Sequence, residues 1–162
     1  LFSCPYSSQK MIIKEIREFN QKLTQKGIRI IPVRISDKRM LVYVYRPEKL
    51  KEDFSDEKTQ IILKCKGYDC TNLSQCICRL IQKLQSDPDF PHEIGLFLGY
   101  PAEDVKGFIE NKAACSKCSG CWKVYGDEQA ARILFKKYKK CTEIYCRRWK
   151  SGVAVEQLTI TI

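Results

Sequence analysis

Ile28-Arg-Ile-Ile-Pro-Val-Arg-Ile35 and Met40-Leu-Val-Tyr-Val-Tyr45 are two β-branched and aromatic runs, parted only by Ser36-Asp-Lys-Arg39. Runs of this length read as strands, and the short polar break between them as the turn of an antiparallel hairpin. Ile28, Ile30, Pro32 and Arg34 alternate with Arg29, Ile31, Val33 and Ile35, so at least one face is apolar. Pro32 has no N–H to donate to a ladder and predicts an edge or a bulge there. Leu41, Tyr43 and Tyr45 alternate with Val42 and Val44, so both faces of the second strand are expected to be covered.

Upstream, Met11, Ile12, Ile16, Phe19 and Leu23 recur at helical spacing and predict a helix over 8–25, stopped by Gly27. Downstream, Pro47 starts a short helix that turns Leu50 and Phe54 inward. Ser55-Asp-Glu-Lys58 offers a cap to the next, which ends near Gly67. Thr71 or Asn72 opens a third, carrying Cys76, Ile77, Leu80, Ile81 and Leu84 and broken at Asp87-Pro88. Ile94-Gly-Leu-Phe-Leu98 reads as a buried strand, and Pro101 as the start of a helix through Ile109. A short strand at Trp122–Tyr125, a long helix from Asp127 to Gly152 and a last strand over 153–162 complete the order. The fold class is α+β, or a mixed-sheet α/β, with helices packed on about five strands. Residues 1–162 read as a single domain lacking a short N-terminal segment, since the chain opens Leu-Phe-Ser without Met.

No apolar run approaches the roughly 18 residues that cross a bilayer. No secretory leader is visible, which favours a cytoplasmic setting. Ten cysteines in 162 residues fall below the density of small disulfide scaffolds. Reduced thiols are therefore the expectation, serving packing, metal binding or redox chemistry.

Cys115-Ser-Lys-Cys118-Ser-Gly-Cys121 is the sharpest chemical signal. Thiols two residues apart turn their sulfurs toward one point, as in zinc and iron–sulfur sites. A strand from Trp122 followed by an antiparallel helix would return Cys141 and Cys146 toward this loop. Cys118, Cys121, Cys141 and Cys146, or Cys115 in place of one, then form a candidate metal set. Zinc or a [4Fe–4S] cluster would suit it, Cys4-Pro5 offering a further ligand of the Cys-Pro kind. Ordinary packing thiols and a disulfide remain open. Cys65, Cys70, Cys76 and Cys78 form a looser group, in which Cys76 and Cys78 face different directions on a helix.

The single histidine supplies a second candidate. His92-Glu-Ile-Gly-Leu-Phe-Leu-Gly99 is similar to the His-x-Gly-Ile-Tyr-Leu-Gly of papain-like cell-wall amidases, which pair the imidazole with a cysteine at a helix start. Cys4, which precedes the first helix, or a cysteine further upstream would be that nucleophile and His92 its base. Glu93 reads as a surface carboxylate, and Asp104 as favouring a helix N-terminus.

The charge is net +10. Lys136, Lys137, Lys139, Lys140, Arg147 and Arg148 crowd one helix, a patch suited to phosphate, an acidic partner protein or an anionic surface. Tyr138, Tyr145 and Trp149 could stack on nucleic-acid bases. Their three- and four-residue offsets instead predict one buried stripe.

Phe90-Pro-His-Glu-Ile-Gly-Leu-Phe-Leu-Gly-Tyr-Pro101, Asp104-Val-Lys-Gly-Phe-Ile-Glu-Asn111, Gly120-Cys-Trp-Lys-Val-Tyr-Gly-Asp127, Lys140-Cys-Thr142, Val42-Tyr-Val-Tyr-Arg-Pro47 and Gln157-Leu-Thr-Ile-Thr161 carry a resemblance over essentially the whole chain. In these blocks it resembles an uncharacterised bacterial family, a domain of unknown function common in anaerobic, clostridial-type bacteria. The resemblance implies an intracellular protein with an upstream cysteine, encoded near ferrous-iron uptake and flavodoxin genes. It brings no established activity. A metal-binding or redox-accessory protein is the resulting expectation, with an acidic redox protein such as a flavodoxin as partner. Cys121 departs from the pattern of the family, many of whose members carry an aromatic residue there, which argues against a four-cysteine site common to the family.

Overall fold

β3 (Arg39–Tyr45) is the central strand around which the two cores are built. The computed structural model describes residues 1–86 and 89–160. The hairpin forms as expected, β2 (Arg29–Ile35) pairing antiparallel with β3. The register slips between Pro32 and Arg34, so the proline sits beside a bulge on an edge strand. The other side of β3 pairs with β1 (Phe2–Pro5), a strand that the opening residues do not announce. This sheet is antiparallel throughout, so the class is α+β rather than mixed α/β.

Alternation along β3 divides the apolar residues between two faces. Met40 and Val42 are buried with Ile16 beneath α1 (Gln9–Leu23). Ser8 caps α1, and a 3-10 turn at Thr24–Lys26 ends it on Gly27 in the left-handed region (φ 71°). Asn20 of α1 reaches the exposed edge of β2, accepting from Ile30 N–H (2.9 Å) and donating to Ile30 O (2.7 Å). One amide thereby occupies edge groups that would otherwise invite another strand.

Tyr43 and Val33 face the larger core. It takes Leu50 and Phe54 from α2 (Pro47–Asp53) and its C-terminal end, Leu63 from α3 (Glu57–Cys65), and Cys76, Ile77, Leu80 and Leu84 from α4 (Leu73–Ser86). Asp56 caps α3 by accepting from Thr59 N–H (2.8 Å), and Asn72 accepts from Gln75 N–H at the start of α4. The expected break at Asp87-Pro88 lies outside the described residues.

Two expected strands are helical turns. Ile94–Phe97 forms α5, all four of its residues buried. A short apolar run does not distinguish a buried strand from a buried helical segment by periodicity. Here the turn bonds itself, Leu98 N–H donating to Ile94 O, and needs no neighbouring strand. A Cβ on Gly95 would stand 2.7 Å from Val105, which fixes how closely α5 meets α6 (Ala102–Glu110). Val155–Leu158 forms α8, whereas the expected strand ran on to residues 161 and 162, outside the described residues. Cations hold this tail: Lys22 pairs with Glu156 (2.5 Å), Lys26 donates to Thr159 O (3.0 Å) and Arg46 to Ile160 O (2.6 Å). Among the described residues, no helix is long and apolar enough to cross a membrane.

Glu93 is not a surface carboxylate. It is 3% exposed, pairs with Lys83 (2.7 Å) and accepts from Tyr68 O–H (3.1 Å). Burial alone would raise its pKa, but the hydrogen bonds and the charge of Lys83 hold it below the usual carboxylate value. A folded pKa below the unfolded one contributes stability that is present above about pH 4.3 and lost as pH falls through the folded value. Glu93→Gln leaves Lys83 without its counter-ion, and we expect a loss of about 3 kcal/mol at pH 7. Denaturant unfolding from pH 7 to pH 3 should show the gap between variant and wild type narrowing with acid; a constant gap would contradict the ion-pair account.

Candidate functional site

The cysteine loop is organised by Asp104, a buried residue in the first turn of α6. Its carboxylate does not cap that helix. One oxygen accepts from Tyr125 N–H and Gly126 N–H and the other from Trp122 Nε1–H, each at 2.7 Å. Tyr125 packs against α6 at Gly107, where a Cβ would stand 2.4 Å from the Tyr125 side chain. These contacts fasten a small hairpin, β4 (Cys118–Ser119) with β5 (Lys123–Val124), onto α6. The strand expected over Trp122–Tyr125 is thus only two residues of β5, because Asp104 captures the next two backbone N–H groups.

Cys115 enters the hairpin in the left-handed region (φ 57°) and is exposed. Cys118 is half-buried against Trp122 and Val124, and Cys121 is exposed at the turn. Lys123 Nζ donates to Ala113 O (2.5 Å), and Lys117 Nζ to Gly126 O (2.6 Å). Both lysines of the loop therefore tie down its backbone.

α7 (Glu128–Lys150) follows, capped by Asp127, which accepts from Ala130 N–H (2.9 Å). Phe135 packs on Gly120, and its ring meets Trp122 edge-on at 4.7 Å. The hairpin reaches no further along α7 than Tyr138, 6.5 Å from Trp122. Cys141 and Cys146 lie six and eleven residues beyond Phe135, about 9 and 16 Å further along the axis. Both are exposed. Among the described residues, no three His, Cys, Asp or Glu side chains are grouped so as to hold a metal ion. The five cysteines thus fall into two places, Cys115, Cys118 and Cys121 on the hairpin and Cys141 and Cys146 along the helix.

Every residue from Lys136 to Lys150 is exposed. The buried stripe expected of Tyr138, Tyr145 and Trp149 is corrected accordingly: these residues are 45%, 39% and 58% exposed. They continue the row begun by Ala131, Leu134 and Phe135, but the short hairpin covers only that first part. At 100° per residue, Lys136, Lys140 and Arg147 lie opposite the row, Lys137 and Arg148 on one flank and Lys139 on the other.

Cys4 and His92 occupy different parts of the fold. Cys4 lies on β1, its thiol directed at Met40 O (3.7 Å) within the core beneath α1. His92 is exposed, its ring edge-on to Phe108 of α6 at 5.0 Å. There it lines a cavity of about 400 Å³ between α5, α6 and the hairpin, and Cys121 lines the same cavity. Of the remaining thiols, Cys65 and Cys78 are exposed and Cys76 is buried. Burial pushes the Cys76 thiol up to about 11, and its S–H donates a hydrogen bond to Asp69 O (2.9 Å).

Residues 1–159 match the family described as "Protein of unknown function (DUF3793)", and the chain belongs to that family. Neither a curated protein nor a solved structure matches it.

Asp104 and the cavity are the features that sequence reading missed. Asp104→Ala leaves three donors without their partner, and a loss of about 3 kcal/mol is expected at 1 kcal/mol or more for each. Amide exchange should accelerate at Tyr125 and Gly126 and Trp122 emission should shift to the red, while the exchange of β3 stays slow. Unchanged exchange in the hairpin would remove Asp104 from this role.

Proposed function

We propose that this DUF3793 protein is a docking protein that engages an acidic partner through the exposed half of α7. One observation carries the reading: Tyr138, Tyr145 and Trp149 continue a buried row into solvent on a helix flanked by cations. A contiguous exposed apolar row rimmed by polar groups marks an interaction surface. Aromatic and arginine side chains together are the composition of interface hot spots. The flanking Lys137, Lys139 and Arg148 select for negative charge at the rim. A nucleic acid is less well served, because Lys136, Lys140 and Arg147 point away from the aromatics that bases would stack on. An acidic redox protein of the flavodoxin kind has the required rim, and Cys141 beside the row would stand close to such a partner.

A purified flavodoxin, titrated by calorimetry beside single-stranded and duplex DNA, tests this. Binding of the flavodoxin should weaken with salt, and Trp149→Ala should cost about 2 kcal/mol. Tighter binding of DNA at the same ionic strength, or a Trp149→Ala protein that binds as well as the wild type, would refute it.

The Cys-x-x-Cys-x-x-Cys spacing motivates a second reading, a metal-binding or redox-accessory role for Cys115, Cys118 and Cys121, whose side chains would have to draw together around the ion. Zinc or an iron–sulfur cluster is the group such thiolates favour. Elemental analysis of anaerobically purified protein should then find stoichiometric zinc or iron, lost in Cys118→Ser and retained in Cys146→Ser. Metal-free protein with full secondary structure would end this reading.

A further inference from the structure

The cavity that His92 and Cys121 share is built from groups with one chemical bias. Its volume of about 400 Å³ falls in the range of small-molecule sites. Ile94, Val105 and Phe108 give it an apolar lining. Trp122 and Tyr100, stacked at 4.7 Å and 27°, add a flat aromatic wall held in place by Asp104. Such walls favour a planar, apolar body, since ring–ring contact adds to the burial of area.

The polar lining is asymmetric. Asp104 is its one carboxylate among the described residues, and three donors already occupy its oxygens. The other polar side chains are His92, Tyr100, Ser119, Cys121 and Lys123, the Tyr100 hydroxyl donating to Cys121 O (3.4 Å). Each can donate a hydrogen bond, and Lys123 uses one of its three for Ala113 O. For a ligand bringing only donors the one carboxylate is already saturated, which leaves it the weaker hydroxyl and imidazole acceptors of Ser119, Tyr100 and His92. A ligand bringing an acceptor meets an ammonium, a hydroxyl, a thiol and an imidazole.

We propose that this cavity binds a small planar aromatic molecule bearing a hydrogen-bond-accepting group, with the rings against the Tyr100–Trp122 pair and the acceptor toward His92 and Lys123. The site is separate from the exposed half of α7 and stands or falls independently of docking there. Cys121 reports its occupancy, because a bound ligand covers a thiol that is otherwise open to reagents.

2-Acetylnaphthalene and 2-ethylnaphthalene differ chiefly in the carbonyl oxygen and serve as the probe pair. Alkylation by iodoacetamide is followed at each cysteine by peptide mass spectrometry, Cys141 giving the reference rate. Trp122 emission is read in parallel in a Trp149→Phe protein. 2-Acetylnaphthalene should slow alkylation of Cys121 while leaving Cys141 unchanged, and should bind about tenfold more tightly than 2-ethylnaphthalene, the worth of one well-made hydrogen bond. His92→Ala, a change at an exposed position, should bring the two probes closer in affinity. The proposal is overturned if neither probe slows Cys121, if Cys121 and Cys141 are slowed alike, or if both naphthalenes bind equally.

Discussion

Everything that follows α6 depends on how one buried carboxylate spends its lone pairs. Asp104 binds two consecutive backbone N–H groups and an indole N–H, from residues 18 to 22 positions later in the chain. Those bonds set the orientation of Trp122, whose ring then offers one surface to Tyr100 and another to Phe135. The first surface closes a wall of the cavity and the second seats the start of α7. A polar group this deep is tolerable only because donors answer it on both oxygens. Specificity enters by the same route, since no other residue type presents two oxygens at this reach from a helix backbone.

Much of the architecture was legible because it rests on local rules. Period-two alternation identified the β2–β3 hairpin, Pro32 marked its irregularity, and Asp56 and Asp127 announced helices that they do cap. The failures occur where only tertiary contacts decide. Ile94–Phe97 is apolar on every side, so nothing in its pattern separates turn from strand. Glu93 and Asp104 look like ordinary surface acids until Lys83 and Trp122 are placed beside them. β1 is short and ends in proline, and its pairing is supplied by β3 rather than by its own propensity.

The candidate site was legible to a similar degree. The cysteine run was read as a loop, whereas Cys118 opens β4 and only Cys115 and Cys121 lie outside its strands; Cys76 and Cys78 do diverge, one buried and one exposed. What the spacing could not convey was the length of the following strand. Five extended residues would have carried the chain far enough for the helix to come back level with Cys141. Two paired residues do not, and the hairpin instead meets α7 at Phe135. The apolar row of α7 then outruns its cover, so residues spaced for burial are left in solvent.

That exposed row is held more rigidly than an unpartnered helix would suggest. A free helix as short as the uncovered stretch 136–150 is marginal in water, because propagation gains little per residue against the cost of nucleation. Here the first turns are clamped by Trp122 and Val124. Beyond Gly152 the chain is returned to the body by Lys22, Lys26 and Arg46, which engage Glu156, Thr159 and Ile160. With constraints on both sides of the uncovered stretch, fraying from either end is opposed. A surface already ordered loses less conformational entropy when a partner arrives, and more of its contact energy appears as affinity. The cationic clamps also explain why the tail coils rather than adding a strand: its carbonyl groups are taken by side chains, and a sheet edge is not required to satisfy them.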